Sequence, residues 1–165
     1  MTTTEFVATR TDKRKSFLHG VFVTAMEGGI GYWSVAEEYH WSLDGGMTGV
    51  RVPDDDIDGF YAVLESAEDD WGVKEAFVAE TGEVQPITET QSLRLDIAVI
   101  ERGVNLLVDK VIAATKSEDP SAPFSRTYLR QFVQAWLSDG DDGDYDADVA
   151  DMVAQLGLFG EVVYA

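Results

Sequence analysis

Glu37, Glu38 and His40 lie close together, just after the string Glu27-Gly28-Gly29-Ile30-Gly31-Tyr32-Trp33. Strict alternation from Gly31 to Trp41 places Trp33, Val35, Glu37, Tyr39 and Trp41 on one face of a strand. A carboxylate among aromatic rings has its pKa raised by desolvation, which is how general acids are made. The same ring-lined neighbourhood suits a base or other flat ligand held by stacking. Two plainer accounts stand ahead of these: Glu37 pairs with an arginine across the sheet, or this face is simply the solvent side. Glu38 and His40, on the opposite face, have the i, i+2 spacing of metal ligands, but two ligands are not a site.

The glycines at 28, 29 and 31 suggest a loop that offers backbone N–H groups to phosphate. They follow a helix and precede a strand, the reverse of the order that phosphate-binding loops use, and no lysine follows. A helix stop feeding a strand is the stronger account. Arg126 and Arg130, one helical turn apart, suit an anion clamp or ion pairs with acids elsewhere. The run Asp139-Gly140-Asp141-Asp142-Gly143-Asp144-Tyr145-Asp146-Ala147-Asp148 invites a calcium reading. The EF-hand frame fails: starting at Asp144, Val149 stands where glycine is required and Gln155 where glutamate is required. A solvated loop whose aspartates complement the next helix N-terminus is the better account.

Other chemistries are excluded by what the chain lacks. It has no cysteine, so disulfides and cysteine-based zinc sites are ruled out, and His19 and His40 supply at most part of a metal site. No Ser-His-Asp, Cys-His, Walker or HExxH arrangement occurs. The 165 residues carry 31 acids against 12 lysines and arginines, a formal net charge of −19. Such a field disfavours direct nucleic-acid binding and acidic membrane surfaces, and it attracts basic proteins. Alternatively it serves solubility alone. The acids concentrate at Asp54-Asp55-Asp56 with Asp58, at Glu68-Asp69-Asp70, and from Asp139 to Asp151. The first fifteen residues run the other way, with Arg10, Lys13, Arg14 and Lys15. The N-terminal residues hold no apolar segment of a secretory signal, and no apolar run reaches the ~20 residues that span a bilayer. A soluble, cytoplasmic protein is expected.

The elements that must position these residues follow from periodicity. Phe17, Leu18, Val21, Phe22 and Ala25 line one face of a helix from Asp12 to about Met26, capped by Thr11 or Asp12 and stopped at Gly28-Gly29. The strand carrying Glu37 turns at Asp44-Gly45-Gly46 toward a return strand from Gly49 to Val52. Gly59 to Glu65 reads as a further strand. Val73 to Glu80 reads as strand or helix, and Thr81-Gly82 turns the chain toward Val84 and Ile87. Asp96 caps a helix whose Ile97, Ile100, Val104, Leu107, Val108, Val111 and Ile112 repeat at helical spacing up to Asp119-Pro120. Pro123 opens another helix, with Phe124, Tyr128, Leu129, Phe132, Trp136 and Leu137 inward. A short last helix carries Val149, Met152, Val153 and Leu156, stops at Gly157, and gives way to a terminal strand from Gly160 to Tyr164. Segregated strands and helices predict a single α+β domain: a small antiparallel meander with about four helices packed mainly on one face.

In the Glu27 to Trp33 string, in Leu95 to Val104 and in Asp148 to Tyr164, the chain resembles small accessory proteins encoded by actinobacterial phages. The resemblance implies a non-structural protein that acts by binding in the host cytoplasm: blocking a host enzyme, a defence system or a DNA-binding protein. No catalytic residue and no cofactor come with it. The first expectation is therefore an acidic inhibitor of a basic host protein, in its sharpest form a mimic of nucleic-acid charge. Its surface would be Asp54, Asp55, Asp56, Asp58, Asp139, Asp141, Asp142, Asp144, Asp146 and Asp148. The alternative is a nucleotide or other small-molecule binder built on Gly28, Gly29, Gly31, Trp33, Glu37, Tyr39 and Trp41, with Arg126 and Arg130 for phosphate. An enzyme using Glu37 with His40 ranks third.

Overall fold

The computed structural model describes residues 10–40, 58–117, 124 and 126–164. Trp41, the turn and return strand over 44–52, Asp54, Asp55, Asp56, Asp119-Pro120 and Pro123 lie outside these residues. The fold is α+β, as the separation of strands from helices predicts.

Helix α1 (Asp12–Thr24) is capped by Thr11, whose hydroxyl accepts from the Arg14 N–H at 3.1 Å. It runs into a π-helical turn, Ala25–Gly29, before β1 (Ser34–His40). Strands β2 (Tyr61–Ser66) and β5 (Leu93–Asp96) complete an antiparallel sheet in the order β1-β2-β5. Between β2 and β5 the chain makes a separate hairpin of β3 (Glu75–Val78) and β4 (Glu83–Pro86), turning at Gly82, whose φ is +69°. That hairpin settles the open reading of 73–80 in favour of a strand. The central helix α2 (Ile97–Lys116) begins where expected: Asp96 accepts from the Val99 N–H at 3.1 Å. Helix α3 spans Thr127–Leu137 and α4 spans Ala147–Phe159.

Three expectations are corrected. The alternation in β1 is broken by a bulge between Ala36 and Glu38, after which the register against β2 shifts by one residue. Val35 is therefore outside while Tyr39 is fully buried, and the supposed single face of Trp33, Val35, Glu37 and Tyr39 does not exist. Helix α4 does not stop at Gly157 but continues to Phe159 and ends at Gly160, which takes the left-handed conformation at φ +73°. Gly157 serves packing instead: a Cβ there would lie 2.2 Å from the Val99 carbonyl oxygen of α2. Finally, residues 161–164 form no strand, because the amides of Val163 and Tyr164 are taken by a side chain of α4.

α2 and α4 make the most extensive helix contact, with Gly103 pressed against the backbone of Val153. The inner sheet face, Tyr39, Ala62, Leu64, Leu93 and Leu95, closes on Phe22 of α1 and on Ile100, Val104 and Leu107 of α2 in one continuous core. β5 is invisible as a strand in the sequence because its four residues run directly into the α2 cap.

Candidate functional site

Gly28 and Gly29 belong to the π-helical turn laid against the start of α4, and a Cβ at Gly29 would meet the Ala147 carbonyl oxygen at 2.8 Å. Gly29 is half-buried there, whereas Gly28 and Gly31 are exposed. Directly after the string, Trp33 is almost wholly buried, with its indole N–H donating to Asp151 at 2.7 Å. The Tyr32 hydroxyl donates to the other oxygen of Asp151 at 2.6 Å, and the Gln155 amide donates to Asp151 at 2.9 Å. Asp151 is thus a buried carboxylate whose side-chain partners are neutral donors, and no ion pair to it occurs among the described residues. Burial, with Asp151 as the next contribution, pushes the Tyr32 hydroxyl up to about 12, so this donor keeps its proton.

Gln155 extends the network to the chain that follows α4. Its side-chain oxygen accepts from the Val163 N–H at 2.8 Å and the Tyr164 N–H at 2.7 Å, while its amide donates to the Tyr164 carbonyl at 3.0 Å. The Tyr164 ring stacks parallel to Trp33 at 5.3 Å, with Trp71 and Phe159 closing the aromatic cluster. The Tyr164 hydroxyl accepts from the Gly72 N–H at 3.0 Å. At the end of α4, Arg102 donates to the carbonyls of Leu156 and Gly157 and lies over the Phe77 ring. Sequence reasoning missed Asp151 and Gln155. The signal was present: polar residues spaced i, i+4 in a helix otherwise apolar all round are buried polar groups that need partners.

The outer sheet face holds the groups read as candidate acid, base or metal ligand. Glu37 sits at the bulge, exposed, and accepts from the Ser92 hydroxyl at 3.1 Å. Among the described residues no aromatic pocket surrounds it, because Trp33 and Tyr39 are buried in the core. Instead, a hydrogen bond shared with Glu37 and its negative charge hold the Glu65 carboxyl above the usual carboxylate range. His40 approaches Glu38 at 3.6 Å and stacks on Tyr61 at 4.4 Å between ring centres; Arg94 covers the Tyr61 ring at 3.9 Å. Among the described residues, no three His, Asp or Glu side chains gather as metal ligands. Arg126, at the α3 N-cap, and Arg130 are exposed on a helix packed mainly against α2, and among the described residues no contact unites them with Trp33.

The acidic loop is the remaining site, and it is more ordered than a solvated linker. Asp139, Gly140 and Gly143 all have positive φ, and Gly143 is pressed so closely on α3 that a Cβ would lie 2.2 Å from the Gln131 carbonyl oxygen. The Ser138 hydroxyl accepts from the Asp142 N–H at 2.8 Å, and the Asp144 N–H donates to Gln131 at 3.2 Å. Asp146 caps α4 by accepting from the Val149 N–H at 3.0 Å, as expected of an aspartate before a helix. The basic residues of α1 neutralise one end: Arg14 pairs with Asp139 at 2.5 Å and Lys13 pairs with Asp141, while Lys15 meets Asp58 at 3.6 Å. Asp142, Asp144 and Asp148 are exposed, and no lysine or arginine pairs with them among the described residues. Compared with protein-family models, curated proteins and solved structures, the chain matches none.

Proposed function

We propose that the chain is an acidic protein-binding module whose loop from Asp139 to Asp148 docks onto a basic surface of its partner. The observation that carries this reading is the fixed placement of Asp142, Asp144 and Asp148. Hydrogen bonds from Asp142 and Asp144 to α3 and its C-cap, and the start of α4, hold them without a cation of their own. Five ion pairs among the described residues use Arg10, Lys13, Arg14, Lys15 and Arg94 internally, so these cations do little to oppose the net charge of −19 at the surface. Carboxylates carried on a backbone so held need little loop ordering on binding, and their summed field speeds encounter with a positive partner. The sequence resemblance to phage accessory proteins supports a host protein as that partner and inhibition as the activity, with mimicry of nucleic-acid charge as its sharpest form.

The test is retention of host proteins on the immobilised chain at low and at high salt, beside a variant carrying Asp142→Asn, Asp144→Asn and Asp148→Asn. A basic protein should be held at low salt, released at high salt, and lost by the variant. Equal retention by the variant would show that the loop is not the docking surface.

A further inference from the structure

The contacts of Gln155 have the form of peptide recognition. A fully buried side-chain amide reads the backbone of an extended segment through two accepted N–H bonds and one donated bond. That part of the contact is blind to side-chain identity, as main-chain recognition is wherever extended peptides are bound. Selectivity comes from one ring, that of Tyr164, laid flat on Trp33 with its hydroxyl on the Gly72 N–H. Beneath these contacts Asp151, Tyr32 and the Trp33 indole fix the orientation of the Gln155 amide, so the reading group is preorganised.

The occupant is slight beside the apparatus that holds it. It leaves α4 through the left-handed turn at Gly160; Glu161 and Val162 are exposed, and among the described residues Val163 and Tyr164 alone are gripped. The groove also continues past the occupant. Gly72, which meets the Tyr164 hydroxyl, borders an open depression of about 830 Å³ that includes Trp71 and Ile87, with the acids Asp70 and Glu89 against the single cation Lys74. A longer extended segment has room to run there, and the acids favour basic residues flanking its aromatic one.

We propose that this groove is a peptide-binding site, that Val163–Tyr164 is its resident occupant, and that a partner protein's extended segment bearing an aromatic residue takes its place. The site is independent of the acidic loop: it uses the other end of α4 and hydrogen-bond reading rather than charge. Exchange is favoured by equivalence, since an incoming backbone restores the same three bonds to Gln155 and an incoming ring restores the stack. The resident segment acts as a tethered competitor that lowers apparent affinity by the fraction of time the groove is closed.

The probe is a blocked hexapeptide with the sequence of residues 160–165, titrated into the full chain and into a full-length variant with Val163→Pro and Tyr164→Ala. Proline removes an N–H that Gln155 reads, and alanine removes the ring, so the variant's groove stands open. The variant should bind the hexapeptide roughly tenfold or more tightly than the unsubstituted chain. Hexapeptides with proline in place of the valine before tyrosine, or alanine in place of tyrosine, should not bind. A folded variant that binds no better than the unsubstituted chain, or that accepts the altered peptides equally, overturns the proposal. A measurement on the unsubstituted chain keeps the question open to refutation should the variant not fold: hydrogen exchange at the Val163 and Tyr164 amides. A displaceable occupant exchanges these amides much faster than Ala154 and Leu158 in α4; equal protection would mean the segment leaves only on global unfolding, and the site would not exist.

Discussion

Asp148 and Asp151 sit one turn apart on α4 and live in opposite worlds. Asp148 is exposed in the first turn, where its charge favours the helix N-terminus and no described cation touches it. Asp151 is buried and surrounded by an indole N–H, a phenol and an amide. The surface region around Asp148 manages charge with cations that water screens, as at Lys13–Asp141, where both partners are largely exposed. The interior region manages it with hydrogen bonds, two of them buried, to the Trp33 indole and the Gln155 amide, groups that would themselves be costly to leave unpaired. The same residue type thus serves presentation in one place and architecture in the other. What separates them is one turn along the helix and about a sixth of a rotation around it, enough to leave one side chain in solvent and turn the other toward Trp33.

The largest effect should come from the interior. Gln155→Leu keeps the side chain's size but removes a buried donor from Asp151 and all three hydrogen bonds that hold Val163 and Tyr164. A loss of about 3 kcal/mol in the urea unfolding free energy is expected. A loss below about 1 kcal/mol would mean water satisfies those groups and the contrast with the loop is false.

A smaller effect should appear at alkaline pH. The Tyr32 hydroxyl has its folded-state pKa raised from 10.0 to about 12, so the folded chain holds that proton more tightly than the unfolded chain. The resulting stabilisation is complete below pH 10 and is lost as pH rises through about 12. Burial, the leading cause in each case, also raises Tyr39 and Tyr145, so some decline remains in any single variant. Unfolding midpoints measured across this range should fall less steeply for Tyr32→Phe than for the unsubstituted chain; parallel curves would detach Tyr32 from Asp151.

The smallest effect belongs to the surface. Lys13→Ala removes the partner of Asp141 at a fully exposed pair, and no measurable change in melting temperature is expected. What should change is the salt dependence of binding to a basic partner, which steepens as one more carboxylate is freed. Substantial unfolding would show that the loop depends on its cations rather than on Ser138, Gly143 and α3.

Particular residues show where the sequence was legible. Helix α2 was readable from both ends of its physics: an aspartate cap at 96 and an apolar stripe with helical period. The β3–β4 turn at Thr81-Gly82 was readable because glycine there takes positive φ. The bulge in β1 was not, since an alternating pattern carries no mark of the residue at which pairing slips. The acidic run was readable as a loop and as the lead-in to a capped helix. Its rigidity was not, because that depends on α3 lying close enough for Gly143 to be the only tolerable residue.

Composition, periodicity and capping chemistry by themselves determined the α+β class, the surplus of negative charge, the absence of cysteine chemistry and the core faces of α1 and α2. These are local or summed properties, set by neighbours within a turn or by counting. Only the tertiary structure decided that Gly29 lies against the start of α4, that Glu37 lies outside the aromatic cluster, and that Asp151 and Gln155 hold Trp33 and the segment after Gly160. Those outcomes depend on partners more than a hundred positions apart, as with Trp33 and Asp151, and on the register of a bulged strand. A hydrogen bond's worth is set by whether water can replace it, and burial, which decides that, is a property of the assembled chain.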